Sequence, residues 1–445
     1  MSFTISYHRY IRRGWIVLLA LIIGVPVYSW MVHTVWSDAW GSSFMTLKFL
    51  GQITGIIGAQ LFAFSLILSS RVKFLERLFG GLDKLYSVHH KTGVIGFAFL
   101  AVHPLVLAFR FVPGSFEDAA NFLSPLGNTM PITLGIFSFL GMLLLLGLTF
   151  YGIIFSYPTL KRAHSFFGFA FFLGFLHVFF IPSSLSTDTL LKVSLLGTAA
   201  IGLIGFTYRT LFGKWVVYRY HYMISSVKDL GGGMTEVTLV PEAERMQYLP
   251  GQFAVLSFPE LSFLSSEEHP FTISSSGLHE ELRFSIKALG DYTGKLSLLK
   301  EEMEALVEGP FGEFSYLYGK QRQIWVAGGI GVTPFVSMAE YILAQDMLSY
   351  TIDLFYSSRS DADGAYKELF AAVASKHPTF TFHFMPSDTK GFITGELLLA
   401  ETRDLHARDV FVCGPPRMVS ALSDQLLVLN FPVKSLRTER FALLK

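Results

Sequence analysis

Six apolar stretches of spanning length fill the first half of the chain, near residues 14–35, 46–69, 86–109, 131–156, 164–182 and 190–212. About 20 apolar residues in a helix cross the ~30 Å hydrocarbon core of a bilayer, so each stretch predicts a membrane span. From Tyr218 the pattern changes. HYMISSVKDL, MTEVTLVP, FAVLSFP and LRFSIKAL are short strand-like runs separated by turn residues, as in a small antiparallel barrel. After Gln321 it becomes strand, glycine loop, helix, strand: IWVAGGIGVTPFVSMAEYIL, then TIDLFYSSR, then DVFVCGPPRMVSALSDQL. That alternation predicts a doubly wound parallel sheet. The expected architecture is an all-α six-helix membrane bundle over 1–213, an antiparallel β-barrel over 214–318 and an α/β domain over 319–445.

Charge in the loops gives the spans a direction. Arg71, Lys73, Arg77, Lys84 and Lys91 lie between or at the edges of spans two and three, Lys161 and Arg162 between four and five, and Arg209, Lys214 and Arg219 after six. The alternate loops, near 36–45, 110–130 and 183–189, are poor in Lys and Arg. Basic loops stay on the cytoplasmic side, which puts both termini and the soluble half there, on the inside of a cell membrane crossed several times. Arg9, Arg12 and Arg13 precede an apolar run long enough to span and without a small-x-small cleavage site, so the first helix reads as retained.

Composition agrees and narrows the chemistry. Hydrophobic residues make up 51% and charged residues 16%, against about a quarter charged in soluble domains. A net charge of +1 gives no electrostatic case for nucleic acid. The single cysteine, Cys413, excludes an intramolecular disulfide and any cysteine-ligated zinc or iron–sulfur centre.

Ionisable groups are costly in hydrocarbon, so histidines within spans are functional candidates. Span three carries His89, His90 and His103; span five carries His164 and His177. Along a helix, His89 and His103, like His164 and His177, lie roughly 20 Å apart, enough for two metal centres at different depths. Both spans run in the same direction, which pairs His89 with His164 towards the inside and His103 with His177 towards the outside. Two neutral imidazoles per iron suit a b-type haem that relays electrons and leaves no open site on the metal. His89 and His103 share a face, about 40° apart, whereas His164 and His177 stand about 140° apart on an ideal helix. Tilt, or a bulge near Gly168 or Gly174, is expected to correct this. His90 is the alternative inner ligand; Gly93, four residues after His89, leaves room beside His89.

Three signals mark the soluble half. VAGGIGVTP places Gly328, Gly329 and Gly331 between a strand and a helix, where a pyrophosphate can approach the backbone and the helix N-terminus. FVCGPP puts Cys413 at the carboxyl edge of the sheet, where open α/β sheets bind ligands. HPFTISS, at 269–275, is a polar and aromatic run entering a strand. Arg359, after the strand ending in YSS, is placed to meet an extra phosphate, which favours NADPH over NADH.

Together these residues resemble the ferric reductase and NADPH oxidase superfamily over almost the whole chain. The resemblance implies two b-type haems held by His89, His103, His164 and His177. HPFTISS resembles the flavin motif, which makes His269, Pro270, Phe271, Thr272 and Ser274 FAD contacts. YLPGQF at 248–253 and KALGDYTG at 287–294, with Lys287, Gly290 and Thr293, resemble the segments that frame the flavin. GGIGVTP, with Thr333 and Pro334 after its glycines, and CGPP, with Cys413, Gly414 and Pro415, resemble the nicotinamide-nucleotide motifs. An aromatic residue near the C-terminus covers the flavin ring in the family; Phe441 is the candidate, followed here by Ala-Leu-Leu-Lys. With no calcium-binding extension before the spans, the likeness is to compact bacterial-type members. The implied activity is transfer of electrons from NADPH through FAD and the haems to an external acceptor, with no obligatory protein partner. Dioxygen, giving superoxide, is the expected acceptor; a ferric chelate or a partner redox protein are the alternatives. A haem-binding membrane sensor, regulated by its nucleotide module, is the competing reading outside enzymes.

Overall fold

The computed structural model describes residues 2–150, 157–182, 188–259, 261–345 and 348–439. The chain divides into two compact units, Met1–Val217 and Tyr218–Lys445.

The first unit is built on six long helices: α1 Ser2–His33, α2 Ser43–Ser69, α3 Leu82–Phe109, α4 Met130–Phe150, α5 Tyr157–Phe180 and α6 Thr189–Phe206. All six are long and apolar enough to cross a membrane. Helix α2 is the hub: 56% of its most apolar window is buried, against 17–22% in the other five. Large apolar side chains such as Leu21, Leu105, Leu144, Phe169 and Ile204 face outward, as a lipid-facing surface requires. The polar termini are tied down. The Ser42 hydroxyl accepts from Met45 N–H at the start of α2, and Asp188 accepts from Leu191 N–H at the start of α6. Asp188 is 3% exposed and also accepts from the Ser29 hydroxyl at 2.8 Å, which ties α6 to α1.

One span boundary differs from expectation. Helix α5 begins at Tyr157, seven residues before the predicted start. Lys161 and Arg162 read as loop, but charges at a helix end keep their heads in water while the backbone stays helical. Pro158, in its first turn, needs no N–H partner there. The predicted end of span four falls among residues 151–156, outside the described ones. The loops also hold short helices that periodicity did not predict, among them Lys73–Phe79 and Phe116–Leu123.

The second unit opens with six antiparallel strands: β1 Tyr220–Asp229, β2 Met234–Pro241, β3 Phe253–Ser257, β4 His269–Thr272, β5 Leu282–Lys287 and β6 Glu304–Phe311. Their order is β4-β3-β6-β1-β2-β5. A bridge between Ile273 and Phe284 joins the two ends, so the sheet curls round an apolar core that includes Val237, Leu239, Leu256 and Phe284.

A parallel sheet follows, β7 Arg322–Gly328, β8 Thr351–Ser357, β9 Phe380–Phe384, β10 Asp409–Cys413 and β11 Leu436–Glu439, in the order β11-β10-β7-β8-β9. Alternation along β7 feeds two cores. Trp325 and Ala327 pack towards α7 Thr333–Leu343 and α8 Lys367–Lys376; Ile324 and Val326 pack towards α9 Gly395–Thr402 and α10 Pro416–Val428.

Candidate functional site

The four membrane histidines form two pairs. The His89 and His164 ring centres are 6.2 Å apart, and those of His103 and His177 are 6.4 Å apart. An imidazole nitrogen lies ~1 Å from its own ring centre and ~2 Å from a metal it ligates, so two rings facing one ion sit about 6 Å apart. Both pairs have that spacing.

Three of these rings are oriented by hydrogen bonds to neighbouring helices. His103 Nδ1 donates to Gly51 O at 2.6 Å, His177 Nδ1 to Pro131 O at 2.8 Å, and His89 Nδ1 to Ser65 O at 2.8 Å. A carbonyl oxygen only accepts, so Nδ1 carries the proton and Nε2 keeps the lone pair a metal needs. Glycines make room. A Cβ on Gly55 would stand 2.7 Å from His103 Nδ1, and one on Gly135 would stand 2.9 Å from His177 Nδ1. Thus Gly51 and Gly55 serve His103 as Pro131 and Gly135 serve His177. His90 is exposed, and it is His89 that faces His164.

The bulge considered for α5 is absent, since the helix is continuous through His164 and His177. Gly174 lets Ser138 come close, at 3.0 Å from where its Cβ would be, and Gly168 abuts the Phe206 ring. The glycines therefore serve packing between helices.

In the soluble unit, strand pairing gathers three of the sequence segments. Strand β3, which begins inside YLPGQF, lies against β4 of HPFTISS, with Phe253 opposite Thr272 and Ala254 opposite Phe271. The Tyr248 hydroxyl is 2.6 Å from Ser275 Oγ. KALGDYTG arrives through Tyr292, whose ring centre is 3.9 Å from that of His269. His269 Nε2 is 3.1 Å from Glu267 Oε2, and its ring also stacks on Phe271. Thr293 Oγ1 accepts from Leu289 N–H at 2.9 Å and Gly290 N–H at 3.1 Å, which shapes the tight loop after Lys287. Gly290 has open space where a side chain would stand. Pro270 and Phe271 are half-buried, whereas Ser274 is fully buried with its hydroxyl bonded to Ser285.

The glycine motifs meet at the carboxyl ends of β7 and β10. A Cβ on Gly331 would overlap the Cys413 carbonyl, and one on Gly414 would stand 3.2 Å from the Gly328 Cα. A Cβ on Gly328 would be 3.1 Å from Pro415. Only glycine permits this contact of backbone with backbone. Gly329, at φ 52°, faces open space. Thr333 and Pro334 start α7, so a helix N-terminus opens onto the same edge. Arg359 is exposed just past β8, beside Asp363, on which Lys287 also acts. Burial pushes the Cys413 thiol up, so it stays protonated at the end of β10. Phe441 lies outside the described residues.

Tyr292 and Tyr248 belong to these segments, yet sequence reasoning passes them over as site residues. A tyrosine in a strand-and-turn pattern gives no sign of what its ring covers. Among the described residues one further cluster offers metal-binding atoms, His221, Glu242 and Glu304, and it is largely exposed.

Three family models match in succession: ferric reductase like transmembrane component over residues 54–175, FAD-binding domain over 220–315 and oxidoreductase NAD-binding domain over 325–424. The chain is 33% identical over 128 residues to the heavy chain of a superoxide-generating NADPH oxidase from Dictyostelium discoideum, covering 24% of each protein. It is 27% identical over 235 residues to the toluate 1,2-dioxygenase electron transfer component of Pseudomonas putida, covering 50% of this chain and 68% of the other. Among solved structures, an Amycolatopsis cytochrome P450 reductase aligns with a TM-score of 0.44 at 20% identity, over 50% of this chain and 70% of that one. With matches to a ferric-reductase membrane component, a flavin domain and a nicotinamide-nucleotide domain in one chain, this NAD(P)H oxidoreductase carries the domain set of the ferric reductase and NADPH oxidase superfamily.

Proposed function

We propose that the chain moves electrons from cytoplasmic NADPH across the bilayer to dioxygen, with FAD and two b-type haems supplying the redox chemistry when bound. The observation that carries this reading is the pair of facing imidazoles repeated at two depths, with ring centres 6.2 and 6.4 Å apart. The residues present suit the porphyrin iron. The rings of each pair stand at the spacing of two ligands on one iron, His89, His103 and His177 commit their Nδ1 protons to carbonyls, and glycines at 55 and 135 keep the His103 and His177 rings from being crowded.

What the chain supplies is position. His89 and His164 would hold the inner group, and His103 and His177 the outer one. His269, Pro270, Phe271, Thr272, Ser274, Lys287, Gly290 and Thr293 would seat the flavin. Most of these belong to the segments that β3–β4 pairing and the Tyr292–His269 contact draw together. The sheet edge of Gly328, Gly329, Gly331, Thr333, Pro334, Cys413, Gly414 and Pro415 would receive the dinucleotide. Arg359 would meet the extra phosphate of NADPH. Phe441 keeps the role the resemblance assigns it, over the flavin.

Two imidazoles committed to one iron would leave it no open position, so the haems held by His89, His103, His164 and His177 would be suited to relaying electrons. Purified, flavin-supplemented protein should contain two haems per chain by pyridine haemochrome. It should consume NADPH only while oxygen is present, and the product should reduce a superoxide-trapping dye. Consumption that continues unchanged without oxygen or an added acceptor contradicts the choice of dioxygen. Consumption that requires a ferric chelate assigns the chain to iron reduction.

A further inference from the structure

Within the soluble unit, a path of hydrogen bonds joins the loop bearing Arg359 to the segment bearing HPFTISS. The loop between β8 and α8 ends at Tyr366, a non-glycine residue at φ 65°. Side-chain-bearing residues persist in that left-handed region where their surroundings over-determine them. The Tyr366 hydroxyl donates to Glu236 Oε2 at 2.8 Å and is 2.5 Å from Ser285 Oγ. Ser285 Oγ is hydrogen-bonded in turn to Ser274 Oγ at 3.0 Å, where both are buried.

Glu236 is 6% exposed and takes a second partner from β5, Arg283 Nη1 at 3.6 Å. Arg283 also pairs with Glu340 on α7, the helix that begins at the glycine edge. A parallel tie runs from Ser337 on α7, whose hydroxyl donates to Ser275 O at 2.6 Å. The barrel side of this arrangement belongs to β2, β5 and the end of HPFTISS. The other side belongs to the two elements that flank the nucleotide edge.

We propose that Tyr366 is a positioning residue: its hydroxyl locks the Arg359 loop to Ser285 and Ser274, so that nucleotide and flavin seats move as one body. The inference rests on the reading that these two segments hold NADPH and FAD. The ring of Tyr366 packs on the core of the parallel sheet, so a phenylalanine keeps that packing and removes only the hydroxyl. A nucleotide that still binds through its phosphates, but sits slightly off the flavin, loses rate more than affinity.

The experiment uses the full-length, FAD-loaded protein and anaerobic stopped-flow mixing with NADPH, following the bleaching of flavin absorbance. Tyr366→Phe and Ser285→Ala should each slow bleaching at saturating NADPH by about tenfold. The NADPH concentration for half-maximal rate should change less than threefold, and flavin content should match the wild type. Because the hydroxyls act in one chain, the double variant should be no slower than the slower single variant. Should Tyr366→Phe fail to fold, Ser285→Ala and its hydroxyl-restoring partner Ser285→Thr carry the test, with Thr recovering the rate. Single-variant rates within twofold of wild type, or effects that multiply in the double variant, overturn the proposal. A wild-type flavin that NADPH does not bleach overturns the functional reading and this inference with it; wild-type bleaching with unaltered variants overturns this inference alone.

Discussion

A histidine that gives its Nδ1 proton to a backbone carbonyl has one lone pair left to offer, on Nε2. His89, His103 and His177 all do this, with acceptors on neighbouring helices at Ser65, Gly51 and Pro131. Substituting His89 by alanine should therefore take haem content from two per chain to one, measured by pyridine haemochrome, while the outer centre remains. The glycines allow a sharper test, because they touch the ring without ligating anything. Gly55→Val puts bulk 2.7 Å or closer to His103 Nδ1, and it should remove the outer centre alone. If Gly55→Val retains both haems at wild-type stoichiometry, the outer pair is not a ligand set. The histidines were legible in the sequence because a polar ring at membrane depth needs a reason. Their carbonyl acceptors were not, since a backbone oxygen leaves no mark on the identity of the residue that supplies it. The ideal-helix angle also misled: facing rings in a continuous α5 show that side-chain reach and helix packing absorb what a bulge was expected to correct.

At the scale of elements, the parallel sheet is closed at its amino end by a charged cluster that periodicity could not reveal. Arg408, 5% exposed, bonds Asp404 at 2.6 Å, Asp353 at 2.5 Å and Gln323 O at 3.3 Å, joining β7, β8 and the turn before β10. Removing one member of such a buried set leaves its partners uncompensated. Arg408→Ala should lower stability by about 3 kcal/mol. The measurement is the thermal midpoint of the detergent-solubilised protein, followed by loss of flavin fluorescence quenching. Burial alone would raise the Asp353 carboxyl, but His383 and Arg408 outweigh it and hold it below the usual carboxylate range. A depressed carboxylate contributes stability that is complete above its unfolded value of about 4 and is lost as pH falls through the folded value. Arg408→Ala should accordingly raise the pH of acid unfolding; an unchanged acid midpoint contradicts this account of the cluster. Strands and glycine turns were readable from alternation and punctuation, whereas the start of α5 was not. Lys161 and Arg162 look like loop to a hydropathy window, but a helix can continue into the headgroup region.

For the whole molecule, the proposed direction across the membrane rests on loop charge alone, and the chain carries a convenient probe of it. Its single cysteine is fully buried, so wild-type protein should react poorly with a membrane-impermeant maleimide. Ser124→Cys, in the loop between α3 and α4, should label in intact cells, and Ser225→Cys, in β1, only after lysis. The reverse pattern would place the soluble half outside. The order of the parts was legible because each has its own period: long apolar runs, then alternation, then strand–glycine–helix units. What the periods leave open is whether the parts act in series. The most direct measurement is the absorbance spectrum of the purified, FAD-loaded protein after anaerobic addition of NADPH, without dithionite. The account predicts that the Soret and α bands shift to those of reduced b-type haem. Bands that stay oxidised, although the flavin bleaches, would contradict transfer of electrons from the nucleotide site to the paired histidines.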